Sequence, residues 1–429
     1  MTENGNDEGS MPPRLLSFRV RNFRSFVDAQ ADIEPGVTVF VGSNDVGKTT
    51  LLNALELYGR IGAEGFAQVA RKSELAGAEE KAVFSARWVE PDAGQEYLHE
   101  MVCDPKEPQE RISWEDGECT WLPRRRVLHC AEREYEARGL KRFTSLGAVS
   151  VADWQTETDV PDELITRLSV ALGFRTPTPY LFQPWSLSLR VPLDIDRVYG
   201  DGYGWLIWLA DIINRRDDSI GELEERLQAL FPHFRRVRVV EERWEVTRHT
   251  SGMEDRVLQV HDGPEPDEAK FLERFAEERS RRNALFEVEC PTRDGLLADE
   301  WVPARAMSSG LLLAMAYLTT AMSSQPGSLL ALEEPENGLN GQISHAMMEM
   351  FLEVVSERRH QLLMTTHNPF WLDLVPLEAV RVVTRDESGS HVSADAENLR
   401  RIREDGLHLS EVMGWGGPEQ LLEKRGDGS

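Results

Sequence analysis

Clear hydrophobic patterning occupies the two ends of the chain and fades in a long middle stretch. Near the start, Arg14 to Phe23 (RLLSFRVRNF) alternates apolar and polar residues, which predicts a strand. Val37 to Val41 (VTVFV) is a short unbroken apolar run, the mark of a strand buried on both faces. Lys48 to Tyr58 (KTTLLNALELY) then spaces its apolar residues as a helix does. Near the end, Leu311 to Met322 predicts an apolar helix and Ser328 to Leu332 a buried strand. Gly341 to Arg359 follows as an amphipathic helix, with Gln361 to Thr365 and Val380 to Thr384 as two further buried strands. Buried strands alternating with helices predict an α/β fold with a parallel sheet.

The middle, from about Gly62 to Ala304, is patchier. Lys81 to Val89 predicts a strand, and Arg111 to Leu128 short strands around an Asp116-Gly117 turn. Pro161 to Leu172 and Trp205 to Phe231 predict helices, the second ending before Pro232. Val237 to Thr250 predicts a strand pair, Asp262 to Asp267 a loop and Glu268 to Asn283 a solvated helix. Phe286 to Cys290 and Trp301 to Ala304 return to strand-like character. No repeat or low-complexity segment is evident.

Three short motifs carry candidate chemistry. Between the second strand and its helix lies Gly42-Ser43-Asn44-Asp45-Val46-Gly47-Lys48-Thr49, in the strand–glycine loop–helix context that a phosphate-binding loop requires. Its glycines let backbone N–H groups approach phosphate oxygens, and the helix adds its positive end. Lys48 reaches the β- and γ-phosphates in this reading, Thr49 binds Mg²⁺ through its hydroxyl, and Thr50 completes the nucleotide contacts. The second motif is Leu329-Leu330-Ala331-Leu332-Glu333-Glu334-Pro335. A buried strand ending in two acids is costly unless they are paired or hold a metal; the plain alternative is an exposed acidic turn. Glu333 then holds Mg²⁺ through water, and Glu334 orients or deprotonates the attacking water. The third is Thr365-Thr366-His367, where a histidine at a strand end can sense a γ-phosphate; taken alone it reads as a structural histidine. Met307-Ser308-Ser309-Gly310, just before the apolar helix, offers Ser308, Ser309 and Gly310 as an anion site or a simple helix cap. About 280 residues separate the phosphate loop from the carboxylates, so the site must be rejoined in space.

Composition narrows the setting. The 429 residues suffice for two or three domains, and the net charge of −26 gives a surface that repels bare phosphate backbones and anionic lipid. A local basic groove for DNA is compatible with that balance. Arg124-Arg125-Arg126 and Arg235-Arg236-Val237-Arg238 are the tight basic clusters, and a solvated or salt-bridged face is the plainer reading of each. Cys103, Cys119, Cys130 and Cys290 have no metal-like spacing and are expected as reduced thiols of a cytoplasmic protein. No apolar run approaches the ~20 residues of a membrane span.

The order of phosphate loop, serine-glycine signature, acidic strand and histidine resembles the ABC-type ATPases, in the branch of RecF, the SMC proteins and the OLD-like ATPases of phage defence. Phe18 to Phe26 (FRVRNFRSF) looks like the opening strand of that branch, Glu333 to Leu339 (EEPENGL) like its acidic strand, and Thr366-His367-Asn368-Pro369 like its histidine switch. Gly200-Asp201-Gly202 through Phe231-Pro232 resembles the helical lobe of the OLD-like proteins. The resemblance implies a P-loop NTPase with an ABC-type head: a mixed sheet lobe plus a helical lobe inserted between the phosphate loop and the signature. The corresponding division is a disordered tail at 1–13, an N-terminal lobe at 14–150, an inserted lobe at 151–300 and a C-terminal lobe at 301–429. It further implies ATP and Mg²⁺ as ligands and a homodimer that sandwiches two ATP molecules. Lys48, Thr49, Glu333, Glu334 and His367 of one copy then face Ser308, Ser309 and Gly310 of the other. Gln183 is a candidate for the family's inter-lobe Mg²⁺ contact. Two positions depart from the pattern: Asn340, where relatives carry histidine or aspartate, and the short Met307-to-Leu311 signature.

The long heptad runs of SMC proteins are missing. Only 62 residues follow His367, without an acidic nuclease pattern of the kind an appended domain of ~100 residues would bring. The expected role is therefore a switch ATPase that acts with an effector, a nuclease or toxin from a neighbouring gene. A scaffold that uses ATP only to assemble a partner and a transporter ATPase are the other classes, the last disfavoured by its missing signature.

Overall fold

The computed structural model describes residues 12–65, 69, 81–104, 106–131, 133–137, 145–146, 151–172, 180–189, 191–192, 198–215, 217–245, 282–291, 301–394 and 396–422. The expected tail at 1–13 lies mostly outside them, as do the Asp262–Asp267 loop and residues 268–281 of the expected solvated helix.

In chain order, β1 (Arg14–Phe23), β2 (Phe26–Asp32) and β3 (Val37–Val41) precede α1 (Lys48–Glu64). Six strands follow: β4 (Ala82–Val89), β5 (Glu96–Cys103), β6 (Gln109–Trp114), β7 (Gly117–Leu122), β8 (Val127–Cys130) and β9 (Arg133–Glu136). Next come α2 (Val151–Glu157), α3 (Asp162–Leu172), α4 (Pro184–Leu187), β10 (Val191–Pro192), α5 (Leu206–Asn214) and α6 (Ser219–Leu230). After β11 (Arg238–Glu245), β12 (Arg282–Pro291) and β13 (Trp301–Pro303), α7 (Ser309–Ser323) leads into β14 (Leu329–Glu333), α8 (Gly341–Glu357) and β15 (Gln361–Thr366). The chain closes with β16 (Val380–Asp386), β17 (Gly389–Ser393), α9 (Ala396–Glu404) and α10 (Leu409–Gly416).

These elements form two compact units. The first holds residues 1–179, 325–335 and 355–429, and the second 180–324 and 336–354. Residues 151–172, expected in the inserted lobe, therefore belong with the first unit.

Two sheets build the first unit. One is antiparallel and eight-stranded, in the order β2-β1-β4-β5-β6-β7-β8-β9. Its inward positions alternate with outward ones, as Ala82, Phe84, Ala86 and Trp88 do along β4. Against this face lies α1, whose Leu51, Leu52, Leu55, Tyr58 and Ile61 recur at helical spacing and are all buried. Phe18 meets Tyr58 edge-on at 5.9 Å and stacks on Phe84 at 6.5 Å, which fixes the helix on the sheet. The other sheet has five strands in the order β14-β15-β3-β16-β17. Its first four strands run parallel, and β17 is antiparallel to β16. Every residue of β15 is buried, as a central parallel strand with both faces covered requires.

The second unit centres on α7, in which every residue from Leu312 to Met322 is buried. Phe182 stacks on Tyr317 at 4.9 Å, and Phe351 meets Tyr317 edge-on at 6.3 Å. A helix apolar all round is a core helix, and α4, α5 and α6 cover this one.

Three expectations need correction. The single helix over Trp205 to Phe231 is two, because Arg215 turns extended (φ −63°, ψ 143°) and Asp217 Oδ1 accepts from Ser219 N–H to start α6. Of the strand pair expected at Val237 to Thr250, the described part forms one strand, β11, whose partner is the distant β12, and residues 246–250 lie outside the described ones. The thiols are not all reduced: Cys119 and Cys130 are direct cross-strand partners in the β7–β8 pair, with Cα atoms 4.3 Å apart, and form a disulfide. Cys103 is a buried free thiol.

Candidate active site

Strand order assembles the site. Central strand β15 separates β3 from β14, and the register aligns Glu333 with Thr365 and Thr365 with Phe40. The phosphate loop after β3, His367 after β15 and the carboxylates at the end of β14 thus emerge side by side at the carboxyl ends of parallel strands. Ligands of open α/β sheets bind at such an edge. A sequence separation of 284 between Thr49 and Glu333 collapses to one hydrogen bond, from Thr49 Oγ1 to Glu333 Oε1.

Two backbone constraints explain the loop's glycines. A Cβ on Gly42 would lie 2.3 Å from the Val383 carbonyl oxygen of β16, so nothing larger than glycine fits. Gly47 takes φ 114°, in the left-handed region, directly before Lys48 starts α1. No side chain caps α1, which leaves its first N–H groups for an anionic acceptor. Lys48 is buried, and its Nζ donates to the carbonyls of Gly42 and Ser43, at 2.8 Å each. Val46 is buried beneath the loop, Thr50 is half-buried, and Asn44, Asp45 and Thr49 are exposed.

The paired carboxylates differ in surroundings. Glu333 ends a strand whose Leu329 to Leu332 are buried, and burial raises its pKa above the ordinary 4.5. The Thr49 hydrogen bond opposes that shift, the Glu334 charge adds to it and Lys48 offsets part of it. Glu334 stands at φ 43°, a left-handed conformation that costs a non-glycine residue energy. Its N–H is held by the carbonyl and the hydroxyl of Thr365, at 3.1 and 3.2 Å. The turn aims its carboxylate along the sheet edge, where Oε1 meets His367 Nε2 at 2.6 Å. His367 is set in place by the residue after it: Asn368 N–H donates to Thr366 Oγ1, and Asn368 Oδ1 caps the turn Pro369–Asp373.

The signature residues belong to the second unit. Ser308 is the N-cap of α7, and its hydroxyl accepts from Leu311 N–H at 3.3 Å. Ser308 and Ser309 are exposed. A Cβ on Gly310 would meet nothing nearer than 3.7 Å, so the fold of the chain does not itself demand glycine there. Gln183 also lies in this unit, as the extended N-cap of α4.

Two contacts to the phosphate loop escape any motif. Arg385, on β16, donates from Nη1 to the Asp45 carbonyl at 3.2 Å. Glu419, in the turn Pro418–Leu421, accepts from Ser43 Oγ at 3.0 Å. Neither follows a local pattern that a reading of the sequence could use.

Residues 14–60, which span β1 to β3, the loop and most of α1, match the family model described as "AAA ATPase domain". Residues 197–373, which span the signature, the carboxylates and His367, match the one described as "AAA domain, putative AbiEii toxin, Type IV TA system". Both matches are to families of ATPase domains, one at each end of the candidate site's sequence, on a mixed α/β fold. Solved structures similar to this chain include the Smc head bound to the C-winged helix domain of ScpA (13% identity, TM-score 0.47, covering 88% of this chain and 97% of that one). The SMC head domain from Thermotoga maritima is similar at 13% identity and a TM-score of 0.38, over 89% of this chain and 98% of that one. A Pyrococcus furiosus Smc head with an extended coiled coil, bound to the C-terminal domain of ScpA, is similar at 12% identity and a TM-score of 0.44, over 92% and 99%.

Proposed function

We propose that this chain is an ABC-type, SMC-like ATPase head that binds ATP with Mg²⁺, hydrolyses it, and dimerises in doing so. The observation that carries the reading is the row of chemistry along one sheet edge: Lys48 and Thr49 on the loop, Glu333 against Thr49, and Glu334 against His367. A divalent cation fits the donors present. Thr49 and Glu333 supply hard oxygen ligands in contact, and Glu333 is a desolvated carboxylate that a cation would compensate. Mg²⁺, when bound there, would neutralise charge on the phosphates. The chain's own groups do the rest: the loop N–H groups and Lys48 hold the phosphates, Glu334 accepts a proton from the attacking water, and His367 holds Glu334 and the γ-phosphate in register.

Ser308 and Gly310 support the dimer. An exposed serine N-cap and a glycine without a steric reason of its own suit a surface that meets a phosphate from outside the chain. In the reading, two copies close head to tail around two ATP molecules, each loop completed by the partner's signature. The family description that names an AbiEii toxin and a toxin–antitoxin system favours a defence role, with this chain as the cytoplasmic switch for a nuclease or toxin effector. DNA is a second candidate partner. Among the described residues no helix is long and apolar enough to cross a membrane.

A scaffold that binds ATP without needing turnover is the second reading. Phosphate release by wild-type protein, with and without Mg²⁺ and DNA, separates the two. Mg²⁺-dependent turnover that Glu334→Gln abolishes together with effector function supports the switch, whereas effector function that survives in Glu334→Gln supports the scaffold.

A further inference from the structure

We propose that Glu419 is a positioning residue for the phosphate loop, acting through Ser43; this rests on the reading of Gly42 to Thr49 as a nucleotide site. A loop made to wrap phosphates must be short of anchoring side chains of its own. Asp45 and Gly47 both take left-handed conformations, and Asn44 and Asp45 are exposed. Such a loop has many alternative shapes in solution, and ordering it on binding costs affinity. Anchors supplied from outside the loop reduce that cost.

The C-terminal turn is built as such an anchor. After α10, Gly417 turns the chain at φ 86°, and Pro418 and Leu421 are buried. Asn398 Nδ2 donates to the Leu421 carbonyl at 2.7 Å in a buried hydrogen bond. The turn is thus fixed at both ends, and Glu419 stands between them with Oε1 accepting from Ser43 Oγ at 3.0 Å. Ser43 is the joint of the loop: its hydroxyl is tied to Glu419 while its carbonyl accepts from Lys48 Nζ at 2.8 Å. Releasing Glu419 frees Ser43 to rotate, and with it the carbonyl that sets the height of the Lys48 ammonium.

A carboxylate near a phosphate site also repels the ligand. Here the group is half-exposed and its charge is screened by water, while the hydrogen bond is charge-assisted and has a fixed partner. Positioning therefore outweighs repulsion, and removal of the side chain weakens binding.

The test is equilibrium binding of a fluorescent ATP analogue with Mg²⁺ to the full chain, for wild type, Glu419→Ala, Glu419→Gln, Ser43→Ala, the Ser43→Ala/Glu419→Ala pair and Lys48→Ala. Glu419→Ala and Ser43→Ala should each raise Kd about three- to tenfold, the loss of one partly exposed hydrogen bond. The double variant should be no weaker than the weaker single one, because both remove the same contact. Glu419→Gln keeps an acceptor oxygen and should stay within about twofold of wild type. If Glu419→Ala fails to fold, Ser43→Ala and Glu419→Gln carry the same comparison. Unchanged or tighter binding by Glu419→Ala, or additive effects in the double variant, overturns the proposal while Lys48→Ala still loses binding. If wild type does not bind the analogue, or Lys48→Ala binds it equally well, the nucleotide reading fails and this proposal with it.

Discussion

Glu334 and His367 meet at 2.6 Å from the ends of two neighbouring parallel strands, held there by a left-handed turn at one residue and an Asn368-capped turn after the other. In the proposed reading this carboxylate is the general base and the histidine its orienting partner. Glu334→Gln should lower steady-state phosphate release by about a hundredfold or more while ATP binding persists, in line with loss of a general base. His367→Ala should cost less, since the carboxylate remains. Equal losses in both variants would mean that the pair works as one unit, and normal turnover in Glu334→Gln would remove Glu334 from the chemistry.

Lys48 Nζ donates to two loop carbonyls, which places its ammonium at the loop. Lys48→Ala should leave the fold intact and abolish the rise in melting temperature that Mg²⁺ and ATP produce in wild type. That rise reflects roughly 2.7 kcal/mol at a hundredfold excess over Kd. Differential scanning fluorimetry with and without nucleotide reads it directly.

Glu333 gives a pH dependence with a definite sign. Burial raises its value above the ordinary 4.5, so the folded state binds this proton more tightly than the unfolded chain does. Its contribution to stability is therefore present at low pH and is lost as pH rises from the ordinary value through the raised one. Above that window the folded site carries a desolvated negative charge, which Mg²⁺ compensates. Stabilisation by Mg²⁺ with ATP should grow in wild type as pH rises from the ordinary carboxylate value of 4.5 through the raised one. In Glu333→Gln it should be small and flat, and the unliganded protein should melt at the same temperature or a degree or two higher, as roughly expected for a fraction of a kcal/mol. A wild-type Mg²⁺ effect that ignores pH contradicts this account of Glu333.

The Cys119–Cys130 bridge closes a short loop, with a sequence separation of 11, between two strands of the antiparallel sheet. A bridge of that span stabilises by about 3 kcal/mol in the chain-entropy picture. Reduction with dithiothreitol should lower the melting temperature by several degrees, and Cys119→Ala should melt low with or without reductant. An identical melting curve before and after reduction would show that the two thiols do not pair in solution.

These contacts also mark what could be read from the sequence. The strand, loop and helix around Gly42 to Thr49 were legible because they are built from contiguous residues. The carboxylate strand was legible because Glu333 and Glu334 end an apolar run at which no soluble strand should keep charge. The pairing of Glu334 with His367 was not, since it depends on which strands become neighbours. The eight-stranded sheet was hidden for the same reason: β1 pairs with β4 across the phosphate loop and α1, and no local pattern encodes that register. Arg385 and Glu419 reach the loop from the far end of the chain, and only the folded sheet edge brings them there. The disulfide was missed because Cys119 and Cys130 were judged by spacing, whereas their direct opposition in β7 and β8 decides it.

The central claim is that the loop is half of a site, completed by Ser308 to Gly310 of a second copy. Sedimentation velocity of Glu334→Gln with and without Mg²⁺ and ATP tests it most directly, because this variant should bind ATP without consuming it. The account predicts a monomer without nucleotide, a dimer with Mg²⁺ and ATP, and a monomer under both conditions when Ser308→Arg is added to Glu334→Gln. A Glu334→Gln chain that binds ATP and stays monomeric, or a Ser308→Arg form that still dimerises, contradicts it.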